Sequence, residues 1–144
     1  MSSSQSGVWK QPMNNFTVLD ASALLTLIQN EAGANLVSDA ITQGKAIISS
    51  VNLSEVIAKL AENGMLEPAI VDFQNQLPVE VIDFNSAIAL VAGLMRPATR
   101  KLGLSLGDRA CLATAQTLGN LPVLTADRIW AELSTDFKIT VLRG

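Results

Sequence analysis

The chain has 144 residues, of which 49% are hydrophobic and 16% charged, and its net charge is −3. That charge argues against a protein that holds nucleic acid by general electrostatic attraction, which is expected to be basic. Histidine is absent and Cys111 is the single cysteine, which excludes Ser-His-Asp and Cys-His triads, His-ligated zinc and an intramolecular disulfide. Any enzymatic chemistry therefore falls to carboxylates, a metal ion, lysines or hydroxyl groups.

The chain begins with residues 1–15, which are rich in Ser, Gln and Asn and which we expect to form a flexible leader. This segment lacks the apolar centre of a signal peptide, and no stretch reaches the ~20 apolar residues of a membrane-spanning helix. We therefore expect a soluble, cytoplasmic protein that does not enter a membrane. From residue 16 onwards, short β-rich segments alternate with helical patterns. The predicted strands are Phe16–Leu19, Ala46–Ser49, Val79–Ile82, Pro122–Thr125 and Ile139–Leu142.

Helical periodicity fills the intervals between these strands. A helix is predicted to follow Asp20, with Leu24, Leu25 and Ile28 on one face. Further helices are predicted roughly over Gly33–Gln43, from Leu53 onwards, near Ala69–Gln76, and over Ser86–Met95, Asp108–Leu118 and Asp127–Leu133. The helix Ser86–Met95 is apolar almost all round, so it needs cover on more than one side and is a candidate subunit contact. The alternation predicts an α/β fold in one domain, residues 16–144, with a mainly parallel sheet between helices.

Four acidic residues fall where a parallel sheet presents its ligands, beyond the carboxyl ends of the strands. Two follow strands: Asp20 ends the first, and Asp127 lies two residues past the fourth. The other two open predicted helices: Glu55 after the second strand and Asp108 before the fourth. The topology therefore predicts that four carboxylates from distant parts of the chain meet at one edge.

Helix capping is an alternative explanation for each acid. Residues 52–55 and 105–108 fit the pattern of a capping residue followed three positions later by an acid. Asp20 and Asp127 fit simple N-caps, and Glu55 is placed to pair with Lys59 one turn on. Taken one at a time, the acids do not separate capping from catalysis.

Two physical arguments favour a functional site over helix capping alone. Asp108 shares a helical face with Cys111, Leu112 and Ala115, so its carboxylate is predicted to point toward the protein body, where burial is costly. Close carboxylates also repel each other by ~1 kcal/mol in water and up to ~4 kcal/mol near a protein surface. Such a cluster needs a cation or raised pKa values. Oxygen ligands without His or Cys favour Mg²⁺ or Mn²⁺.

The segments that carry these acids resemble the acidic motifs of PIN domains, and most closely those of VapC-type toxins from toxin–antitoxin pairs. They read Val-Leu-Asp-Ala-Ser-Ala-Leu (18–24), Ser-Val-Asn-Leu-Ser-Glu-Val (50–56), Leu-Ser-Leu-Gly-Asp-Arg-Ala-Cys-Leu-Ala (104–113) and Val-Leu-Thr-Ala-Asp-Arg (123–128). The resemblance extends over residues 16–144, with the motifs in the family's order and spacing. The leader falls outside it.

The resemblance implies a three-layer α/β/α sandwich, a homodimer, and cleavage of RNA phosphodiester bonds with Mg²⁺ or Mn²⁺. It also implies a cognate antitoxin that blocks the site. Carried over residue by residue, it gives Asp20, Glu55, Asp108 and Asp127 as catalytic residues. Of these, Asp20, Asp108 and Asp127 would hold the metal, Asp127 directly or through water, and Glu55 would orient the attacking water. Ser22 and Thr125 match neighbouring polar positions of the family, although local hydrogen bonding explains them equally well.

The basic residues between positions 96 and 109 are candidate contacts to the RNA backbone, and a solvated rim is the alternative explanation. They are Arg96, Arg100, Lys101 and Arg109. Other enzyme classes fit less well. A haloacid-dehalogenase-type phosphatase would need a second Asp at the position of Ser22, and neither a nucleotide-binding P-loop nor a Rossmann fingerprint occurs. A solitary RNA-processing nuclease and a non-catalytic PIN-like binding module remain open.

Overall fold

The structure is a computed structural model that describes residues 15–143. The predicted leader therefore lies outside the described residues, apart from Asn15. Residues 15–143 contain five strands, β1 Thr17–Leu19, β2 Ala46–Ser49, β3 Glu80–Ile82, β4 Val123–Thr125 and β5 Ile139–Val141. The helices are α1 Ala21–Ile28, α2 Ala34–Thr42, α3 Ser50–Glu62, α4 Glu67–Gln76, α5 Ser86–Leu94, α6 Arg96–Thr99 and α7 Leu106–Thr117. Two 3-10 turns cover Arg100–Leu102 and Arg128–Glu132.

The strands form one parallel sheet in the order β3-β2-β1-β4-β5. The chain builds outward from β1 to β3 and then returns to add β4 and β5 on the other side of β1. The order therefore reverses between β1 and β4, and a crevice forms beyond the carboxyl ends of strands at such a reversal. The loops after these two strands carry Asp20 and Asp127.

Alternate residues of the central strands are buried on opposite faces of the sheet. Val18 and Ile47 belong to a core formed with α5 and α7, whereas Leu19 and Ile48 belong to a second core formed with α1 to α4. Both faces are thus covered by helices, as a parallel sheet requires. The predicted three-layer α/β/α architecture is confirmed.

Three helices begin earlier than their hydrophobic patterns predict. Helix α4 starts at Glu67 rather than Ala69. Helix α3 starts at Ser50 rather than Leu53 because the Ser49 hydroxyl accepts a hydrogen bond from the backbone N–H of Val51, at 3.2 Å, directly after β2. The predicted cap at Asn52 is therefore wrong, since this residue lies inside the helix. Helix α7 starts at Leu106 rather than Asp108. The segment predicted as a short helix from Asp127 is the 3-10 turn Arg128–Glu132.

Helix α5 keeps an apolar face on the outside of the molecule. Ile88 and Ala92 are buried against the sheet, but Leu90 is 63% exposed and Leu94 71% exposed. No helix within residues 15–143 is both long and apolar enough to cross a membrane.

Candidate active site

Asp20 is a buried carboxylate directly after the central strand β1, with only 5% of its surface exposed. Its Oδ1 accepts hydrogen bonds from the Ser22 hydroxyl at 2.7 Å and from the backbone N–H of Ala23 at 2.8 Å. Its Oδ2 accepts one from the Thr125 hydroxyl at 2.6 Å. The bond to Ala23 makes Asp20 the N-cap of α1, so the capping explanation is correct but accounts for only one of three donors.

Burial raises the pKa of Asp20 from 3.8 to about 6, because the charged form loses its hydration. The three hydrogen bonds lower this pKa but do not offset the burial, and the negative charge of Asp108 raises it further. The fold thus keeps a carboxylate where its ionisation is costly and places a second carboxylate nearby. Within residues 15–143 the ion pairs join Lys59 to Glu62 and Arg143 to Glu31, so neither acid has a cationic partner there.

The Thr125 hydroxyl links the ends of β1 and β4. It donates to Asp20 and accepts from the backbone N–H of Asp127 at 3.1 Å. The Ser22 hydroxyl makes a parallel link, donating to Asp20 and accepting from the backbone N–H of Ala126 at 2.9 Å. The carboxylate of Asp127 is exposed and accepts from the backbone N–H of Ile129 at 3.1 Å, which caps the 3-10 turn. Asp127 is thus tied to Asp20 through its backbone, while its side chain faces solvent.

Asp108 lies in the first turn of α7, where its carboxylate belongs to a capping box. The Ser105 hydroxyl accepts from the backbone N–H of Asp108 at 3.1 Å, and Asp108 Oδ2 accepts from the backbone N–H of Ser105 at 2.9 Å. The cap predicted at residues 105–108 is confirmed. Asp108 is half-buried, and its other carboxylate oxygen makes no hydrogen bond within the described chain. Capping one oxygen fixes the side chain and leaves the second for a ligand.

Glu55 lies within α3 and is exposed. Its Oε1 accepts a hydrogen bond from the Asn52 side-chain amide at 2.9 Å, and its carboxylate packs against Gly107 in the first turn of α7. Lys59, the alternative partner predicted from spacing, pairs with Glu62 instead. Glu55 is thus directed toward α7, the helix that carries Asp108.

The side chain of Cys111 shows how three of the acids converge. Burial raises the pKa of its thiol, and the charges of Asp20, Asp108 and Glu55 raise it further. Cys111 is wholly buried, as its apolar helical setting predicts. Among residues 15–143, no three acidic or cysteine side chains are spaced to hold one metal ion as they stand, and no pocket encloses the acids.

The predicted basic residues precede and follow the start of α7. Arg100 and Lys101 are exposed on their 3-10 turn, and Arg96 is exposed with Nη1 3.4 Å from the carbonyl oxygen of Leu104. Arg109 differs, because it is half-buried and its Nη1 donates to the carbonyl oxygen of Ala92 at 3.1 Å. Its guanidinium joins α7 to α5. The other three side chains remain the better candidates for contact with a polyanion.

The family model of the PIN domain matches residues 17–135. No curated protein sequence matches the chain.

Solved structures similar to this chain include three toxin–antitoxin complexes. The DNA-bound VapBC complex of Salmonella typhimurium superposes with a TM-score of 0.68 at 20% identity, covering 89% of this chain and 98% of that one. VapBC-1 of nontypeable Haemophilus influenzae gives 0.67 at 21% identity, with 88% and 98% covered. A toxin–antitoxin complex from Klebsiella pneumoniae gives 0.66 at 19% identity, again with 88% and 98% covered. At these identities the likeness is one of fold.

Proposed function

Since the chain belongs to the PIN domain family, we propose that it is a Mg²⁺- or Mn²⁺-dependent endoribonuclease, the VapC-type toxin of a toxin–antitoxin pair. The observation that carries the proposal is the buried Asp20. Burial raises its pKa to about 6, and the negative charge of the neighbouring Asp108 contributes to the rise. At pH 7, above this pKa, Asp20 is ionised, and two ionised carboxylates without a cationic partner in the described chain are costly unless a cation compensates them.

The donor set fits Mg²⁺ or Mn²⁺. These ions prefer oxygen ligands, and Mg²⁺ usually keeps several waters while binding one or two carboxylates and the substrate phosphate. A complete cage of protein ligands is therefore not required. Asp20 and Asp108 would hold the ion, and Asp127 would reach it directly or through a water.

The bound ion supplies a water of lowered pKa and stabilises negative charge on the phosphate. The remaining work falls to the side chains. Ser22 and Thr125 hold both oxygens of the Asp20 carboxylate in a fixed orientation. Glu55, exposed at the rim, orients the attacking water and accepts its proton. That water's oxygen would form the new bond to phosphorus as the bond to the leaving ribose oxygen breaks, and the leaving oxygen would take a proton from solvent, which cuts the RNA strand.

RNA binding in this proposal relies on local rather than net charge. Arg100 and Lys101 are exposed on the segment that leads into α7, close in sequence to Asp108. They would contact phosphates and raise substrate affinity without touching the reacting group. Replacing both with Ala should therefore raise KM and leave kcat unchanged; an unchanged KM would remove them from the substrate path.

The cleavage assay combines purified protein, total RNA, and either Mn²⁺ or EDTA. Cleavage should require the metal and should disappear in Asp108→Asn, which removes the carboxylate charge and keeps the side-chain shape. Asp136→Asn, an exposed acid that follows the 3-10 turn 128–132, is the matched control and should cleave normally. Undiminished cleavage in EDTA, or by Asp108→Asn, would refute the metal mechanism.

The toxin assignment rests on the neighbouring folds, which come from toxin–antitoxin complexes. Expression of this chain without a partner should arrest growth, and Asp108→Asn should relieve the arrest. Co-expression of a cognate antitoxin should restore growth, because the antitoxin would cover the acidic residues. Normal growth alongside RNA cleavage in vitro would favour a solitary RNA-processing nuclease instead.

A homodimer through helix α5 completes the proposal. Leu90 and Leu94 present large apolar side chains to solvent on this helix, and such surface is typical of a subunit contact. Leu94→Glu should convert the dimer to a monomer in light scattering. Leu66, 75% exposed at the start of α4, gives the control Leu66→Glu, which should remain dimeric. A monomeric wild type, or a dimeric Leu94→Glu, would contradict this interface.

A further inference from the structure

The junction between α3 and α7 contains a buried side-chain amide that is not among the predicted site residues. Asn52 is 1% exposed and lies in the first turn of α3. Its Nδ2 donates both to Glu55 Oε1 at 2.9 Å and to the carbonyl oxygen of Gly107 at 3.0 Å. One amide group thus joins a candidate catalytic residue to the residue immediately before another, Asp108.

The orientation of this amide is well determined by its surroundings. Both hydrogens of Nδ2 have acceptors, whereas Oδ1 is buried and has no hydrogen-bond partner among residues 15–143. The flipped amide would place its oxygen against two other oxygens and leave the donors unused. The two donated bonds therefore hold the amide in this orientation and join Glu55 to the backbone of α7.

Gly107 provides the second half of the contact. A Cβ at this position would lie 2.7 Å from both Cδ and Oε1 of Glu55, a distance that real Cβ contacts essentially never show. A larger residue at position 107 would therefore have to displace the Glu55 carboxylate from α7. The Glu55 side chain therefore rests on the backbone of α7, and its negative charge lies beside the amino-terminal end of that helix, where anions are stabilised.

We propose that Asn52 and Gly107 are positioning residues that hold the Glu55 carboxylate against the first turn of α7, at a fixed separation from Asp108, and that they act on RNA cleavage only through Glu55. The role in cleavage rests on the proposed function, whereas the contact itself does not. Asn52 directs the carboxylate by donating to one of its oxygens. Gly107 leaves the space in which the carboxylate lies. Together they convert an exposed, flexible side chain into one with a defined direction.

The first test measures thermal stability and needs no activity. In a Glu55→Ala background Gly107→Ala should raise Tm, because alanine has the better helix propensity. In the wild type the new methyl group displaces the exposed Glu55 carboxylate from Asn52 and from the first turn of α7, so the same substitution should raise Tm by less or lower it. An identical change of Tm in both backgrounds would show that Gly107 does not hold Glu55 and would overturn the proposal.

The second test is a double-mutant cycle on cleavage. Asn52→Leu, an apolar replacement with the same branching at Cγ, should lower kcat by about tenfold or more with KM within about twofold. In a Glu55→Gln background it should have no further effect, because residues that act as a unit are not additive. Equal losses of kcat in both backgrounds would assign Asn52 a general structural role and refute the proposal.

Asn120→Ala supplies the control for instability alone. Asn120 has a φ of 58° in the turn before β4, at the opposite end of the strands from the acids, so alanine should be strained there. This variant should have a lower Tm and an unchanged kcat. A loss of stability alone would then not account for a lower kcat in Asn52→Leu. A wild type that does not cleave RNA would defeat the proposed function, and the thermal cycle would still decide whether Glu55 is held as described.

Discussion

Two carboxylates at the same edge of the sheet are held in opposite ways. Asp20, directly after β1, is buried and accepts hydrogen bonds from Ser22, Ala23 and Thr125. Glu55, in the second turn of α3, is exposed and accepts a single side-chain hydrogen bond, from Asn52. Both carboxylate oxygens of Asp20 are held by hydrogen bonds. The Glu55 carboxylate is oriented by the Asn52 amide and by its contact with the backbone of Gly107.

This difference separates the expected roles of the two acids. A metal ligand must be ionised and fixed in place, and the hydrogen bonds to Asp20 favour its ionised form against the penalty of burial. A group that exchanges a proton with water needs contact with solvent, which Glu55 has. In the proposed mechanism, two chemically similar side chains would take different roles because they differ in burial and in the number of donors around them.

The largest expected effect comes from neutralising each carboxylate in turn. Asp20→Asn should reduce kcat by about a thousandfold, because the ion loses a charged ligand. Glu55→Gln should reduce it by about a hundredfold, the scale of a lost general base, and should leave Mn²⁺ binding intact. Single-turnover cleavage at one fixed Mn²⁺ concentration, chosen to saturate the wild type, measures both. Equal losses would remove the distinction between the two acids.

Removing one donor to Asp20 tests whether its hydrogen bonds matter for the metal. Thr125→Val keeps the shape of the side chain but leaves Asp20 Oδ2 without its 2.6 Å donor. The Mn²⁺ concentration for half-maximal cleavage should rise by about tenfold or more, as is common when a partner of a metal ligand is lost. Thr114→Val is the control, since this buried hydroxyl donates to the carbonyl oxygen of Ala110 within α7. A similar change in both variants would contradict the role given to Thr125.

The smallest effect is a pH dependence of folding stability in EDTA. The pKa of Asp20 rises from 3.8 to about 6 on folding, so the folded chain binds more protons between these values. The stability from this group is present in full below pH 3.8 and is lost as pH rises through about 6. The free energy of unfolding should therefore fall by about 1 kcal/mol between pH 5 and pH 7.

The sequence has no histidine, whose titration would otherwise dominate this pH range. Urea unfolding of the wild type and of Asp20→Asn at both pH values isolates the effect of the one carboxylate. The variant should show a smaller change than the wild type. The same dependence in both proteins would mean that Asp20 titrates normally.

The sequence predicts the sheet and the strand-end acids well, and physical reasons explain why. The short β-rich segments that end at Leu19 and Thr125 are apolar because both faces of a parallel sheet are buried, so their carboxyl ends can be located from composition. Asp20 and Asp127 follow directly. The start of α3 was less predictable, because Ser49 caps this helix ahead of its apolar stripe, whereas the Ser105 cap of α7 fits the capping pattern in the sequence.

The contact between Asn52 and Gly107 could not be predicted from the sequence. The two residues are 55 positions apart, and their hydrogen bond depends on how closely α3 approaches α7. Spacing made Asn52 resemble a helix cap, and an isolated glycine in a helix has many explanations. The sequence also does not predict that Asp20 is buried and Glu55 exposed, because the burial of a residue at a strand end depends on the packing around it.

A calorimetric titration with Mn²⁺ tests the central claim most directly, namely that Asp20 and Asp108 together bind a divalent ion. The wild type should show saturable binding at one class of site. Asp20→Asn and Asp108→Asn should each abolish that binding, and the control Asp136→Asn should retain it. Undiminished Mn²⁺ binding by both site variants would contradict the account.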